Sequence, residues 1–370
     1  MASSSIGKRF LRRTIGLLSI VVSVALIISY FSPYVSPESI WWFQLFGLAY
    51  PIILISFIVS LPLLFFVNRK RWWSLMIILI LGLPVHLRYF SFGWDEEGSS
   101  EKENIKITSF NVRGFDTYQW THNDLESAEQ SFLDYIKVND ADVICFQEYT
   151  VDRRPSKHMQ REEIKAAGNF KHFAEQLVVQ TRKLDFGISI YSKFPIINQG
   201  IIGKEKELYA LYVDLKVDKD TVRVYNTHLQ SIRLQQDEYS LFDEQAMSDK
   251  GLTDRVVGLL RKLKRAYPSR IAQASSVLEH STKSSYPTLI CGDFNEPPTS
   301  YIYSLFNDRF HDAFRENSFG IGRTYAGKIP AGRIDYFFCN DKIKALDFMV
   351  QDDKLLSDHY PISMIFELKK

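Results

Sequence analysis

Apolar and polar positions divide the chain into two regimes. In the first ninety residues the apolar runs are long: Ile15 to Phe31 and Trp41 to Val67 carry no charge, and the run from Trp72 is interrupted only by His86 before Arg88. Crossing a bilayer core takes about 20 apolar residues. The pattern therefore predicts three transmembrane helices at about 15–31, 41–67 and 72–90, within a membrane anchor spanning residues 1–91. Trp41, Trp42, Trp72, Trp73 and Tyr89 flank these runs as an interfacial aromatic belt would. Pro51 and Pro62 are compatible with the second span, because membrane helices tolerate proline better than soluble ones.

The pattern changes at residues 92–104, a polar linker containing "GWDEEGSSEKEN". Beyond it, from 105 to 370, short apolar runs alternate with longer amphipathic segments. "IKITSFNVR", "ADVICFQEY", "DFGISIYSKFPI", "LYALYVDLKV", "TVRVYNTHLQ", "YPTLICGDFN", "GRIDYFFCN", "KALDFMVQ" and "YPISMIFEL" have the composition and alternation of strands. "LESAEQSFLDYIKVND" and "DRVVGLLRKLKRAYPSRIAQASSVLEH" repeat at helical spacing. Strands outnumber helices, and the mixture predicts a layered α/β domain of two packed sheets with flanking helices.

Charge refines the picture in two ways. The formal net charge is +2 at pH 7, which gives no support for a surface that coats itself with nucleic acid. Its distribution sets an orientation: "KRFLRR" precedes the first span and "NRKRWW" separates the second from the third, while "SPYVSPES" carries one acid and no base. The positive-inside rule then places the N-terminus in the cytoplasm and, after three crossings, the soluble domain on the extracytoplasmic (periplasmic) side of an inner or plasma membrane. Two crossings would reverse that side. A cleaved signal peptide is the rival for the first span, but no clean small-residue cleavage site follows and two more spans come after it. Cys145, Cys291 and Cys339 are odd in number and sit in apolar strands, so they read as packed hydrophobes.

Candidate chemistry lies where strands end. "SFNVRG" ends in Asn111, "CFQEY" in Gln147 and Glu148, and "YNTHLQS" in Asn226 and His228. "CGDFNEPP" supplies Asp293 and Asn295, "GRIDYFF" Asp335, and "LLSDHYPI" Asp358 and His359. Each alone has a bland explanation as a turn residue, a cap or a satisfied core histidine. Six such strand ends in succession are hard to assemble by chance, since polar groups beside buried runs are costly unless paired or liganded.

In their order, "FNVRG", "QE", "THL", "GDFN", "RIDYFF" and "SDHYP" resemble the motifs of the endonuclease/exonuclease/phosphatase superfamily, over residues 105 to about 368. The resemblance implies a four-layered α/β sandwich, two packed mixed sheets flanked by helices, with the site at one end. It implies hydrolysis of phosphate esters with Mg2+ or Mn2+, a cation class that suits oxygen ligands. By that resemblance Glu148 is the principal metal ligand, with Asn111 and Asp358 near the same ion. Asp293 orients or deprotonates the attacking water, Asn295 and His228 face the phosphate, and His359 does so supported by Asp335. "THL" looks like the deoxyribonuclease, sphingomyelinase and phosphatase branches rather than the abasic-site endonucleases.

Partners expected from these readings are a lipid bilayer and a phosphorylated substrate, either a phospholipid head group or another phosphorylated envelope compound. An extracytoplasmic nuclease with the same fold is the first rival. A catalytically silent, membrane-bound binding protein is the second, and the complete motif set speaks against it. Arg255, Arg261, Lys262, Lys264 and Arg265, interleaved with Val256, Val257, Leu259, Leu260 and Leu263, make a basic amphipathic helix that either lies on anionic lipid or packs its leucines on the domain.

Overall fold

The computed structural model describes residues 2–93, 104–116, 125–152, 161–180, 184–203, 209–232, 252–327, 332–353 and 355–369. They fall into two compact units: Met1–Tyr89 with Pro297–Ser304, and Phe90–Glu296 with Leu305–Lys370.

The first unit is helical. Two helical stretches, Phe10–Phe31 and Tyr50–Val67, are long and apolar enough to cross a membrane. The expected span at 41–67 is not one helix. Pro37–Ile40 and Phe43–Leu48 are separate short helices, and the long helix starts only at Tyr50. Pro51 explains the start: it has no N–H to donate to an earlier turn, so it fits the first turn of a new helix. Gln44, buried in the second short helix, donates its amide to the Ser32 and Val35 carbonyls just past the end of the first long helix.

The expected third span, at about 72–90, is also corrected. Arg69–Leu81 and Leu83–Tyr89 meet at 59° and make at most one bent crossing. Gly82 caps the first piece, and a Cβ there would fall 2.1 Å from the Tyr30 ring. Pro84 follows and cannot donate into the preceding turn. Thr299 and Ser300 act differently in the turn before Tyr301. Ser300 Oγ accepts from Tyr303 N, whereas Thr299 Oγ1 donates to Gly47 O at 2.7 Å. Of the expected linker, residues 94–103 lie outside the described residues, and Ser91–Phe92 forms a short strand against Phe319–Gly320.

The second unit is the expected α/β sandwich. One six-stranded sheet runs, from edge to edge, Ile343–Val350, Ile362–Leu368, Ile105–Asn111, Val143–Asp152, Leu184–Ser192 and His172–Gln180. The other runs His311–Asp312, Asp335–Cys339, Thr288–Asp293, Asp220–His228, Ala210–Val217 and Ile196–Ile202. Each sheet has one parallel pair near its centre, Ile105–Asn111 with Val143–Asp152 and Asp220–His228 with Thr288–Asp293. The remaining named pairs are antiparallel.

Alternation along these strands builds two cores. Ile107, Val143, Cys145, Ile190, Val213, Val224, Leu289, Cys291, Phe337 and Met364 belong to one buried cluster drawn from both sheets. Phe110, Ile144, Phe146 and Tyr191 join Phe132 and Ile136 of the helix Leu125–Asn139 in another. Burial on both faces is why the central strands read as near-continuous apolar runs. The helix Leu252–Thr282 buries Leu263, Ala266, Tyr267, Ala274 and Val277, while Val256 and Val257 remain about two-fifths exposed. Within the basic segment Arg255–Arg265 only Leu263 is buried, and Leu259 and Leu260 are half-buried. Residues 233–251, which precede this helix, lie outside the described residues. All three cysteines are buried thiols, as expected.

Candidate active site

Register brings the strand-end residues together. In one parallel pair Asn111 stands opposite Gln147, and in the other His228 stands opposite Asp293. Asp335 begins an antiparallel strand and faces Asp293 from the other side. The carboxyl ends of both parallel pairs thus open at one place. Gln147 and Asn226 join the sheets beneath it: Gln147 Nε2 donates to Asn226 Oδ1 at 2.6 Å, and Asn226 Nδ2 donates to the Phe146 and Ser189 carbonyls, each at 2.9 Å.

Backbone irregularity then aims the side chains. The ladder shifts register between Phe146 and Tyr149, and Glu148 in that bulge adopts φ 50°. Positive φ is unfavourable for a residue with an ordinary side chain and is found where surrounding structure enforces it. Arg113 and Asn295 also have positive φ, 43° and 53°. Gly292, at φ 131°, is required by close strand approach, since a Cβ there would meet Thr227 O at 1.8 Å.

Asp293 is the centre of the network and is 1 % exposed. Its Oδ2 accepts from Asn111 Nδ2 at 3.0 Å and from Asn295 Nδ2 at 3.1 Å, and its Oδ1 accepts from Asn295 N at 2.8 Å. Asn295 Nδ2 also donates to Leu229 O. His359 Nδ1 lies 3.0 Å from Asp335 Oδ2, and its Nε2 lies 3.7 Å from Asp293 Oδ2. His228 Nε2 is 3.7 Å from both Glu148 and Asp293 and has no hydrogen-bond partner among the described residues. The structure therefore gathers Asn111, Glu148, His228, Asp293, Asn295, Asp335 and His359. Asp358 is engaged differently: it pairs with Arg113 at 3.0 Å, and Arg113 N donates to Asn111 Oδ1.

Two titrations follow from this geometry. Burial raises the Asp293 carboxyl above its ordinary value, Asp335 adding to it and the histidines opposing. Burial works against the His359 imidazolium, but Asp335 and Asp293 outweigh it and push the group up to about 10. Against an ordinary value of about 6.5, the folded protein holds this proton the more tightly. The stabilisation is complete below about pH 6.5 and is lost as pH rises through about 10. In EDTA, chemical denaturation should show wild type exceeding His359→Gln most at low pH, the gap closing across that window. A gap independent of pH would show that this pair is not charged in the fold.

The donors suit a hard divalent cation. Ligand atoms of Asp293, Asp335 and His359 lie within 4.8 Å of one another. His359 and Asp335 already satisfy each other, however, so this trio is better described as an imidazolium–carboxylate pair facing a second carboxylate. Glu148 has the more available oxygens: its side chain is 40 % exposed, and it receives one long hydrogen bond, 3.5 Å, from Asn111.

Two supporting arginines were not anticipated. "FNVRG" displayed Arg113, but nothing in its spacing marked it as the partner of Asp358. Arg270 is 3 % exposed and donates to Gln230 O, Asn295 O and the Glu296 carboxylate, the last at 2.5 Å. Gln273, one turn on, accepts from Gln230 N. These contacts hold the backbone just beyond His228 and at Asn295. The i, i+3 pair in "RIAQ" was the available signal, hidden within a helix rich in exposed cations.

The sequence profile of the Endonuclease/Exonuclease/phosphatase family matches residues 108–359. A profile described as a domain of unknown function (DUF8431) matches residues 12–89. No curated protein matches the chain significantly. Among solved structures, an endonuclease/exonuclease/phosphatase from Beutenbergia cavernae DSM 12333 is 17 % identical with a TM-score of 0.52, over 72 % of each chain. One from Bacteroides vulgatus is 16 % identical (TM-score 0.52) over 72 % of this chain and all of its own. A family protein from Bacteroides thetaiotaomicron is 14 % identical (TM-score 0.52) over 72 % of this chain and 99 % of its own. At these identities the likeness is one of fold.

Proposed function

The chain belongs to the endonuclease/exonuclease/phosphatase family, a family of phosphoester hydrolases, and we propose that it is a membrane-anchored, Mg2+- or Mn2+-dependent phosphoesterase acting on a phospholipid head group or another phosphorylated envelope compound. The observation that carries the chemistry is the fully buried Asp293, held by three hydrogen bonds between two histidines and beside Glu148.

Glu148 and Asn111, with Asp358 behind them, are the oxygen donors that would hold the cation. When bound, the cation neutralises phosphoryl oxygens and polarises the phosphorus towards attack. Asp293, its proton affinity raised by burial, takes the proton of the attacking water. Asn111 and Asn295 prevent its carboxylate from rotating away. The His359 imidazolium, held by Asp335, donates from Nε2 to a phosphoryl oxygen as charge develops there. His228, with an unpartnered Nε2, is placed to donate on the opposite flank.

The lipid substrate is supported by apolar helices in the same chain and by the near balance of charge. The test is hydrolysis by the full chain in detergent with Mn2+. Phosphatidylglycerol, sphingomyelin, plasmid DNA and bis(p-nitrophenyl) phosphate would be assayed in parallel. Preferred cleavage of a phospholipid, abolished in Glu148→Gln, is the expected result. Preferred cleavage of plasmid DNA would replace it with the nuclease reading.

A further inference from the structure

The two basic runs of the helical unit converge. Arg12 and Arg13 of the helix Ala2–Phe31 and Arg71 of the helix Arg69–Leu81 line one cavity of about 230 Å³, completed by Gly16, Leu64, Val67 and Asn68. Gly16 is the seat of Arg71: a Cβ there would stand 2.8 Å from Arg71 Nη1, so any larger residue displaces the guanidinium. Among the described residues no carboxylate forms an ion pair with Arg12, Arg13 or Arg71. The only acid in residues 1–89 is Glu38, beyond the far end of the first helix. At 1.5 Å per residue, that end lies about 28 Å from Arg12.

Three guanidiniums around one space repel one another, and the arrangement becomes favourable when an anion accepts from them. The volume is below the roughly 300–1,000 Å³ of pockets that enclose whole small molecules, so it suits a head group whose remainder lies outside. Beside it Leu17, Ile20, Leu63 and Phe66 expose apolar side chains on the same two long helices. A ligand with an anionic head and apolar tails fits both features.

We propose that this cavity binds the phosphate of an anionic glycerophospholipid, with Arg71 as its central donor. The proposal assigns a ligand site to the region 12–89 and rests on the reading that these helices lie in a bilayer. It shares no residue with the phosphoesterase site. Diffuse attraction is the competing explanation for clustered arginines, contributing about 1 kcal/mol, or a factor of about five, for each charge near an anionic surface. A built site adds charge-assisted hydrogen bonds, each contributing about 1.5–3 kcal/mol, or about tenfold to a hundredfold in affinity.

Native mass spectrometry of the full chain released from detergent micelles, titrated with phosphatidylglycerol or phosphatidylcholine, separates these. The expected result is one phosphatidylglycerol retained over phosphatidylcholine by about tenfold or more. Arg71→Gln should lower that retention by more than about tenfold, and Lys70→Gln, an equal charge change outside the cavity, by about fivefold or less. Gly16→Leu keeps the charge and should also lose the lipid, with unchanged helical circular dichroism. Equal losses in Lys70→Gln and Arg71→Gln would reduce the site to diffuse attraction. Displacement of phosphatidylglycerol by millimolar inorganic phosphate would make it a site for free anions and overturn the lipid assignment. A chain that stays in solution without detergent and retains no lipid would instead overturn the bilayer reading beneath it.

Discussion

Asp293→Asn should lower kcat by about three orders of magnitude while leaving the folded protein as stable as, or more stable than, wild type. The loss follows from removing the group that accepts the water's proton; general-base contributions run at about 10²–10⁴-fold. The gain in stability follows from the same burial that raises the carboxyl's proton affinity. An ionised Asp293 is held in a site that disfavours its charge, and asparagine of equal shape removes that cost while giving up its attraction to the His359 imidazolium. Asn111 and Asn295 present N–H groups to this position, and the asparagine carbonyl oxygen can still accept from one of them. Thermal melts in EDTA beside initial rates in Mn2+ test both halves. A large fall in melting temperature would mean that Asp293 is a structural anchor and not a functional group kept at the expense of stability.

The second large effect concerns Arg270. Arg270→Met should destabilise the chain by about 3–5 kcal/mol, the usual cost of leaving a buried charge without its partner. Glu296, 3 % exposed, would lose its guanidinium, and the carbonyls of Gln230 and Asn295 would lose a shared donor. Adding Glu296→Gln should restore much of the stability, since the buried carboxylate that has lost the Arg270 guanidinium is then gone. It should not restore full turnover, because the backbone carrying Asn295 is still released. Urea denaturation of the two single variants and the double variant measures the coupling. Additive losses would mean that the pair contributes little beyond its separate contacts.

The sequence made the sandwich legible for a physical reason. Strands buried on both faces, such as "VICF" and "TLICG", have no polar side on which the pattern can blur. The site was legible for the complementary reason: Asn111, Glu148, His228 and Asp293 interrupt those runs at their carboxyl ends, where only a ligand or a partner makes polar groups tolerable. What stayed hidden was set by local backbone geometry. Glu148 turns at a bulge with positive φ, which no spacing rule encodes. Composition shows how apolar Trp41–Val67 is, but not that Pro51 starts a new helix or that Gly82 lets the chain bend against Tyr30. The edge strand His172–Gln180 escaped notice because "HFAEQ" mixes charge with apolar residues, as a strand with one unpaired edge does. Arg270 was hidden because its neighbours Arg261, Lys262, Lys264 and Arg265 carry the same kind of charge on one helix.

The most direct test is the initial rate of bis(p-nitrophenyl) phosphate hydrolysis by the full chain in Mn2+, wild type beside Asp293→Asn. Metal-dependent hydrolysis at this site predicts a rate that EDTA abolishes and that the substitution lowers by about a thousandfold. A rate that survives in Asp293→Asn, or one indifferent to EDTA, would contradict it.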